Sequence, residues 1–119
     1  MSIKKKYLIE LFLKCSGHRF AAERSLKTNE YLLRASYQSV NDDEFSQIMS
    51  QNGLESYLEK ITIVLDSMFS QEEVESLIEF FRSPVGRKMV DKTYLLKIPI
   101  IVNDITNERE RKLSKMEKE

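Results

Sequence analysis

Apolar residues recur along the chain at intervals of three and four, and strict apolar–polar alternation is missing, so the organising period is helical. Leu8, Leu11, Phe12 and Cys15 fall at i, i+3, i+4 and i+7 and predict a first helix from about Ser2 to Ser16, stopped by Gly17. Ala22, Leu26, Leu33, Tyr37 and Val40 predict a long second helix from about His18 to Val40. Asn41 and Asp42 end it and cap a short third helix, which carries Phe45, Ile48 and Met49 and closes at Asn52-Gly53. Leu54, Tyr57, Leu58, Ile61, Leu65 and Met68 form the most regular stripe in the protein and predict a fourth. The strand-like island Thr62-Ile63-Val64 lies inside that stripe and is outweighed by it.

The next boundary is written in hydrogen-bonding groups. In Ser70-Gln71-Glu72-Glu73 the Ser70 hydroxyl can accept from the Glu73 N–H while the Glu73 carboxylate accepts from the Ser70 N–H, a capping box. The helix it opens has Val74, Leu77, Ile78 and Phe81 inside and ends near Arg82, because Pro84 disfavours helical geometry at Ser83. Ser83 and Pro84 then serve as N-cap and first residue of another helix, with Val85, Met89 and Leu96 pointing inward. Pro99 either kinks the last helix or restarts it, and the helix continues through Ile101, Ile105 and Leu113. Beyond about Asn107 the chain becomes highly charged and is expected to fray. The reading is all-α: one domain over 1–119, a compact bundle of about five to six amphipathic helices.

Composition narrows the functional classes. A chain of 119 residues supports one modest core. Nineteen basic residues balance nineteen acidic ones, so no net field draws the chain to nucleic acid or anionic lipid. The basic clusters Lys4-Lys5-Lys6 and Arg109, Arg111, Lys112, Lys115 lack an aromatic platform, and acids dilute the second; no nucleic-acid partner is expected. The basic start followed by Tyr7 to Leu13 imitates a secretory leader, but Glu10 and Lys14 spoil it and no cleavage site follows, so it reads as a helix of the domain. No stretch approaches the ~20 apolar residues of a membrane span. The compartment stays open: cytoplasmic as the sequence stands, periplasmic or exported if a leader has been removed.

The segment Leu65 to Met89 resembles the signature of a bacterial family, the domain of unknown function 2059 family. Its pattern is a Phe, then Ser or Thr, two acidic positions, a helix ending Phe-Tyr, and Ser-Pro-x-Gly-x-Lys. Phe69, Ser70, Glu72, Glu73, Phe80, Ser83, Pro84, Gly86 and Lys88 match it, with Phe81 in place of the usual Tyr. Tyr94 stands where the family commonly has Pro. The resemblance implies an all-α fold, often in exported or periplasmic proteins, with no established activity or cofactor. The residues themselves support an architectural reading, in which the three Phe anchor the cap and Gly86 lets two helices approach closely.

Candidate chemistry is sparse. Cys15 and His18 are three apart, but Gly17 separates them and the chain has no other Cys or His, so a metal site is not expected. Cys15 lies on an apolar stripe, where burial raises a thiol's pKa and deactivates it. Asp42-Asp43 and Glu72-Glu73 sit in first helical turns, where they complement the helix dipole, and Glu108 and Glu110 alternate with Arg109 and Arg111. No catalytic residue, cofactor site or enzyme activity is expected. Apolar residues, by contrast, are in surplus. Leu32-Leu33, Phe80-Phe81 and Ile100-Ile101-Val102 are neighbours, and neighbours on a helix point about 100° apart, so one core does not easily take both members of every pair unless these helices are central and buried on both sides. The reading is a non-enzymatic interaction or structural module that pairs with itself, most simply as a dimer, or with another protein. The alternative is a helical container for a small apolar or lipid-like ligand, built on Met49, Met68, Met89, Phe12, Phe45 and Tyr57.

Overall fold

A computed structural model describes residues 1–117 and places α-helices in the order α1 (Ile3–Cys15), α2 (His18–Ser36), α3 (Asp42–Gln51), α4 (Leu54–Met68), α5 (Gln71–Arg82), α6 (Pro84–Met89) and α7 (Lys92–Glu117). No strand occurs among the described residues, so the fold class is all-α as the periodicity requires. Ser2 caps α1 through its side chain, Asn41 caps α3 by accepting from the Asp43 and Glu44 N–H groups, and Gly17 turns from α1 into α2 at φ 82. Only a residue without Cβ enters that left-handed region freely.

The core is centred on α1, which packs against α2, α4 and α5. Ile9, Phe12 and Leu13 of α1 meet Leu65 of α4 and Val74 and Ile78 of α5, with Leu8, Leu11, Cys15, Leu58, Ile61, Phe69, Leu77 and Phe81 partly buried around them. Each fully buried aliphatic side chain here stabilises the fold by about 1.5–3 kcal/mol. Because α1 is covered on several sides, Ile9 and Leu13 are more deeply buried than the stripe residues Leu8 and Leu11. The Lys5 ammonium ties α1 to the end of α4, donating to the Asp66 carbonyl at 3.0 Å and pairing with its carboxylate at 2.8 Å.

The structure corrects several expectations. The molecule is extended, measuring 62 × 41 × 23 Å with a radius of gyration of 19.4 Å, where a compact chain of this length would have about 13–14 Å. The second helix stops at Ser36 and not at Val40, because the Arg34 guanidinium folds over the following turn and donates to the Tyr37 and Val40 carbonyls. The helix expected from Pro84 through Leu96 is two helices: Asp91 accepts from the Thr93 N–H at 2.8 Å and opens α7 after α6 has closed at Met89. That break brings the count of helices to seven among the described residues. Past the break the inward position falls to Leu95 and leaves Leu96 exposed, while in α6 itself Gly86 is buried and Val85 and Met89 point outward. Met68, the last member of the α4 stripe, is exposed as well. Past Pro99, α7 runs on without a restart, and past Asn107 it stays helical to Glu117, with Arg111 paired to Glu108 one turn back. Lys118 and Glu119 lie outside the described residues.

Candidate functional site

The motif residues Phe69 to Lys88 assemble into an elbow between α5 and α6. Phe69 ends α4 in extended geometry and packs partly buried against the core. Ser70 then opens α5 with both halves of the capping box formed: its hydroxyl accepts from the Glu73 N–H at 3.1 Å, and the Glu73 carboxylate accepts from the Ser70 N–H at 2.9 Å. The Ser70 N–H first, and the Ser70 hydroxyl second, hold the Glu73 carboxyl below its ordinary value. The inner face of α5 is the expected one, with Val74 and Ile78 buried and Leu77 and Phe81 partly so. Phe81 lies 5.9 Å from the Phe12 ring, while Phe80 packs edge-on against Phe81 at 5.2 Å and keeps nearly half its surface in solvent.

Ser83 belongs to two helices at once. It is the C-cap of α5 and the N-cap of α6; its hydroxyl donates to the Phe80 carbonyl and accepts from the Gly86 N–H at 3.1 Å. Pro84 supplies the first residue of α6, where its missing N–H costs nothing. Gly86 is buried against the end of α5, and a Cβ there would lie 1.9 Å from the Phe80 carbonyl oxygen and 2.6 Å from Phe81 Cα. Lys88 stays exposed in the last turn of α6, where its charge complements the helix dipole.

Beyond the elbow, α7 touches the body of the protein only near its start. A methyl group placed on Gly17 would sit 3.6 Å from Val90 Cγ1 and 3.8 Å from Leu95 Cδ1, so these two side chains seat the α6–α7 junction on the α1–α2 turn. The Lys92 ammonium sits 5.1 Å from the centre of the Phe20 ring, a cation–π contact from the first turn of α7 to α2. Val90, Lys92 and Phe20 carry no pattern that sequence reasoning could have joined. From Leu96 onward α7 leaves the body, and none of its described residues is buried.

The remaining candidates stay apart from any reactive arrangement. The Cys15 thiol lies 3.6 Å from the Phe12 carbonyl, and burial pushes it up despite the nearby Arg82. His18 leans on the Phe12 ring at 5.3 Å between centroids and shares a hydrogen bond between Nδ1 and the Ser16 hydroxyl; desolvation pulls its pKa down. No group of three or more His, Cys, Asp or Glu suited to a metal ion occurs among the described residues. Asp42 and Asp43 stand in the first turn of α3, Asp42 holding Arg34, and Glu108 holds Arg111. Open grooves of about 530, 420 and 620 Å³ run over the surface. The first is mixed in lining, with Lys6, Glu10, Lys14 and Arg19 beside Leu13, Leu58 and Ile63. Of the six side chains considered for a ligand container, Met49 alone lines one of these grooves.

Fold and elbow together define an all-helical domain in which a capped corner hands the chain from a small core to a long outlying helix. Residues 59–96, from the second half of α4 to the first turn of α7, match the family model described as "Uncharacterized protein conserved in bacteria (DUF2059)". This is the family that the segment Leu65 to Met89 resembles. No curated protein and no solved structure matches the chain. No helix among the described residues is long and apolar enough to cross a membrane.

Proposed function

We propose that this chain is a non-enzymatic interaction module that self-associates through α7. One observation carries the reading. Tyr94, Leu96, Ile98, Ile100, Ile101, Val102 and Ile105 are all exposed on a helix that has no buried residue, so the apolar surplus seen in the sequence is left uncovered by the chain's own core. A helix that is apolar over most of its circumference is stable in water only when something covers it, and twofold pairing is the commonest way a soluble protein covers such a surface. Phe80 and Leu32, exposed beside the half-buried Phe81 and Leu33, repeat the pattern on a smaller scale. The junction at Val90–Asp91 supports the reading, since past it α7 leaves the body and buries none of its described residues. The container alternative has weaker support, because Met68 and Met89 face solvent and do not gather around a cavity. Light scattering over a concentration series tests the proposal. A mass rising toward twice the 14.0 kDa of one chain is expected. A monomer that persists at high micromolar concentration would refute it.

A further inference from the structure

The geometry points to a specific occupant for the α7 surface, the α7 helix of a second copy, paired antiparallel about a twofold axis at Pro99–Ile100. This inference rests on the self-association just proposed and adds its register. Along α7, Tyr94, Ile98, Ile101 and Ile105 recur at four, three and four residues, one seam of a two-helix coil, and all four are exposed. The seam is its own complement when reversed: Tyr94 of one copy falls opposite Ile105 of the other, and Ile98 opposite Ile101. Leu95 and Val102 flank one side of the seam and meet each other across the pair, widening the apolar strip. On the other flank stand Lys97 and Asp104, and the same reversal sets Lys97 of each copy beside Asp104 of the other.

Neither residue forms an ion pair within the chain among the described residues, so both charges are available to a partner. Pro99 occupies a position next to Ile98 that faces away from the seam, where its missing N–H does not disturb the contact. A parallel pairing keeps Asp104 near Arg109 but sets Lys97 against Val102 and crowds both helical bodies at one end. From the exposure of its apolar residues, the Tyr94–Ile105 surface offers about 500–600 Å² per copy, so a symmetric pair buries about 1,000–1,200 Å², the lower range of a specific interface. An area of that size belongs to a transient pair, not an obligate one.

Sedimentation equilibrium on the full chain tests the register with Lys97→Glu, Asp104→Lys and the double variant carrying both. All four positions changed in a symmetric pair lie on exposed helix surface, and thermal midpoints at dilute concentration check that each variant is folded. Each single reversal replaces two attractive contacts by two like-charge contacts and should raise the dissociation constant about tenfold or more, whereas the double reversal should bring it back to within about threefold of the starting protein. Single variants that dimerise as well as the starting protein, or a double variant that is not rescued, overturn the antiparallel register while leaving self-association in place. A starting protein that is monomeric throughout overturns both.

Discussion

Gly86→Ala adds one methyl group where the structure has no room for it. The new Cβ would be 1.9 Å from the Phe80 carbonyl oxygen and 2.6 Å from Phe81 Cα, and both are backbone atoms that cannot swing aside. To relieve the contact α5 and α6 must separate by more than an ångström, which loosens the Ser83 hydroxyl bridge and draws Phe81 away from Phe12. Overpacking of this kind costs about 1–3 kcal/mol, and a contact with backbone belongs at the upper end or beyond. Against it stands the helix preference of Ala over Gly, worth about 1 kcal/mol in favour of the variant. The net expectation is destabilisation by about 2 kcal/mol, near 8 °C in thermal midpoint for a domain of this size. Thermal and urea unfolding followed by circular dichroism, at a concentration too low for association, would measure it; Lys88→Ala, on the exposed side of the same helix, should stay within about 0.5 kcal/mol. The sign decides the matter. If the corner is open, helix preference wins and Gly86→Ala is neutral or stabilising, and the closed elbow is refuted.

Three further outcomes follow from the same physics. Ser70→Ala should cost about 1 kcal/mol in urea unfolding, since the Glu73 N–H loses its hydroxyl acceptor while the backbone N–H of residue 70 still donates to the Glu73 carboxylate; an unchanged midpoint would mean the hydroxyl half of the box contributes nothing. Gly17→Ala should cost about 1 kcal/mol although space is available, because the backbone there has φ 82 and the nearest side-chain atoms lie at ordinary contact distance. Stability should fall on acidification in two stages: His18, Glu73 and Asp66 all have pKa values lowered by folding, so each contributes stability that is complete above its unfolded value and is lost as pH falls through the folded one. The first decline therefore begins below about pH 6.5 from His18 and the second below about pH 4.5 from the carboxylates; a His18→Gln variant that keeps the first stage would contradict the assignment.

Sequence legibility followed the location of the determining groups. The caps at Asn41, Ser70 and Ser83 and the stop at Gly17 act through groups within three residues, so the starts of α3, α5 and α6 and the α1–α2 turn were readable. The inner face of α5 was readable too, because one side of that helix meets the core. The end of α2 was not, since it is held by Arg34 reaching over Tyr37 and Val40, a contact that no propensity encodes. Nor was the start of α7, which depends on a single Asp91 carboxylate with no Gly or Pro to mark it. That one missed cap misplaced Leu96, because a two-residue interruption changes which residues of the following helix face inward; Val85 and Met89 precede it and are exposed because α6 turns Gly86 inward. Periodicity names the apolar side of a helix but not what covers it. For this reason Ile101, Ile105 and Leu113 read as the stripe of a last helix in a compact bundle, whereas the structure leaves them uncovered.

An α7 without a partner is a poor helix. Pro99 interrupts its hydrogen-bond ladder, Ile98, Ile100, Ile101, Val102 and Ile105 are β-branched, and no described residue on it is buried. Amide hydrogen exchange read across residues 94–105 at dilute and at high concentration therefore tests the central claim most directly. Self-association through α7 predicts that these amides exchange fast when the protein is dilute and become protected as concentration rises, while the α1 and α5 amides keep the same protection throughout. Protection of 94–105 that does not change with concentration, whether high or absent, would contradict it.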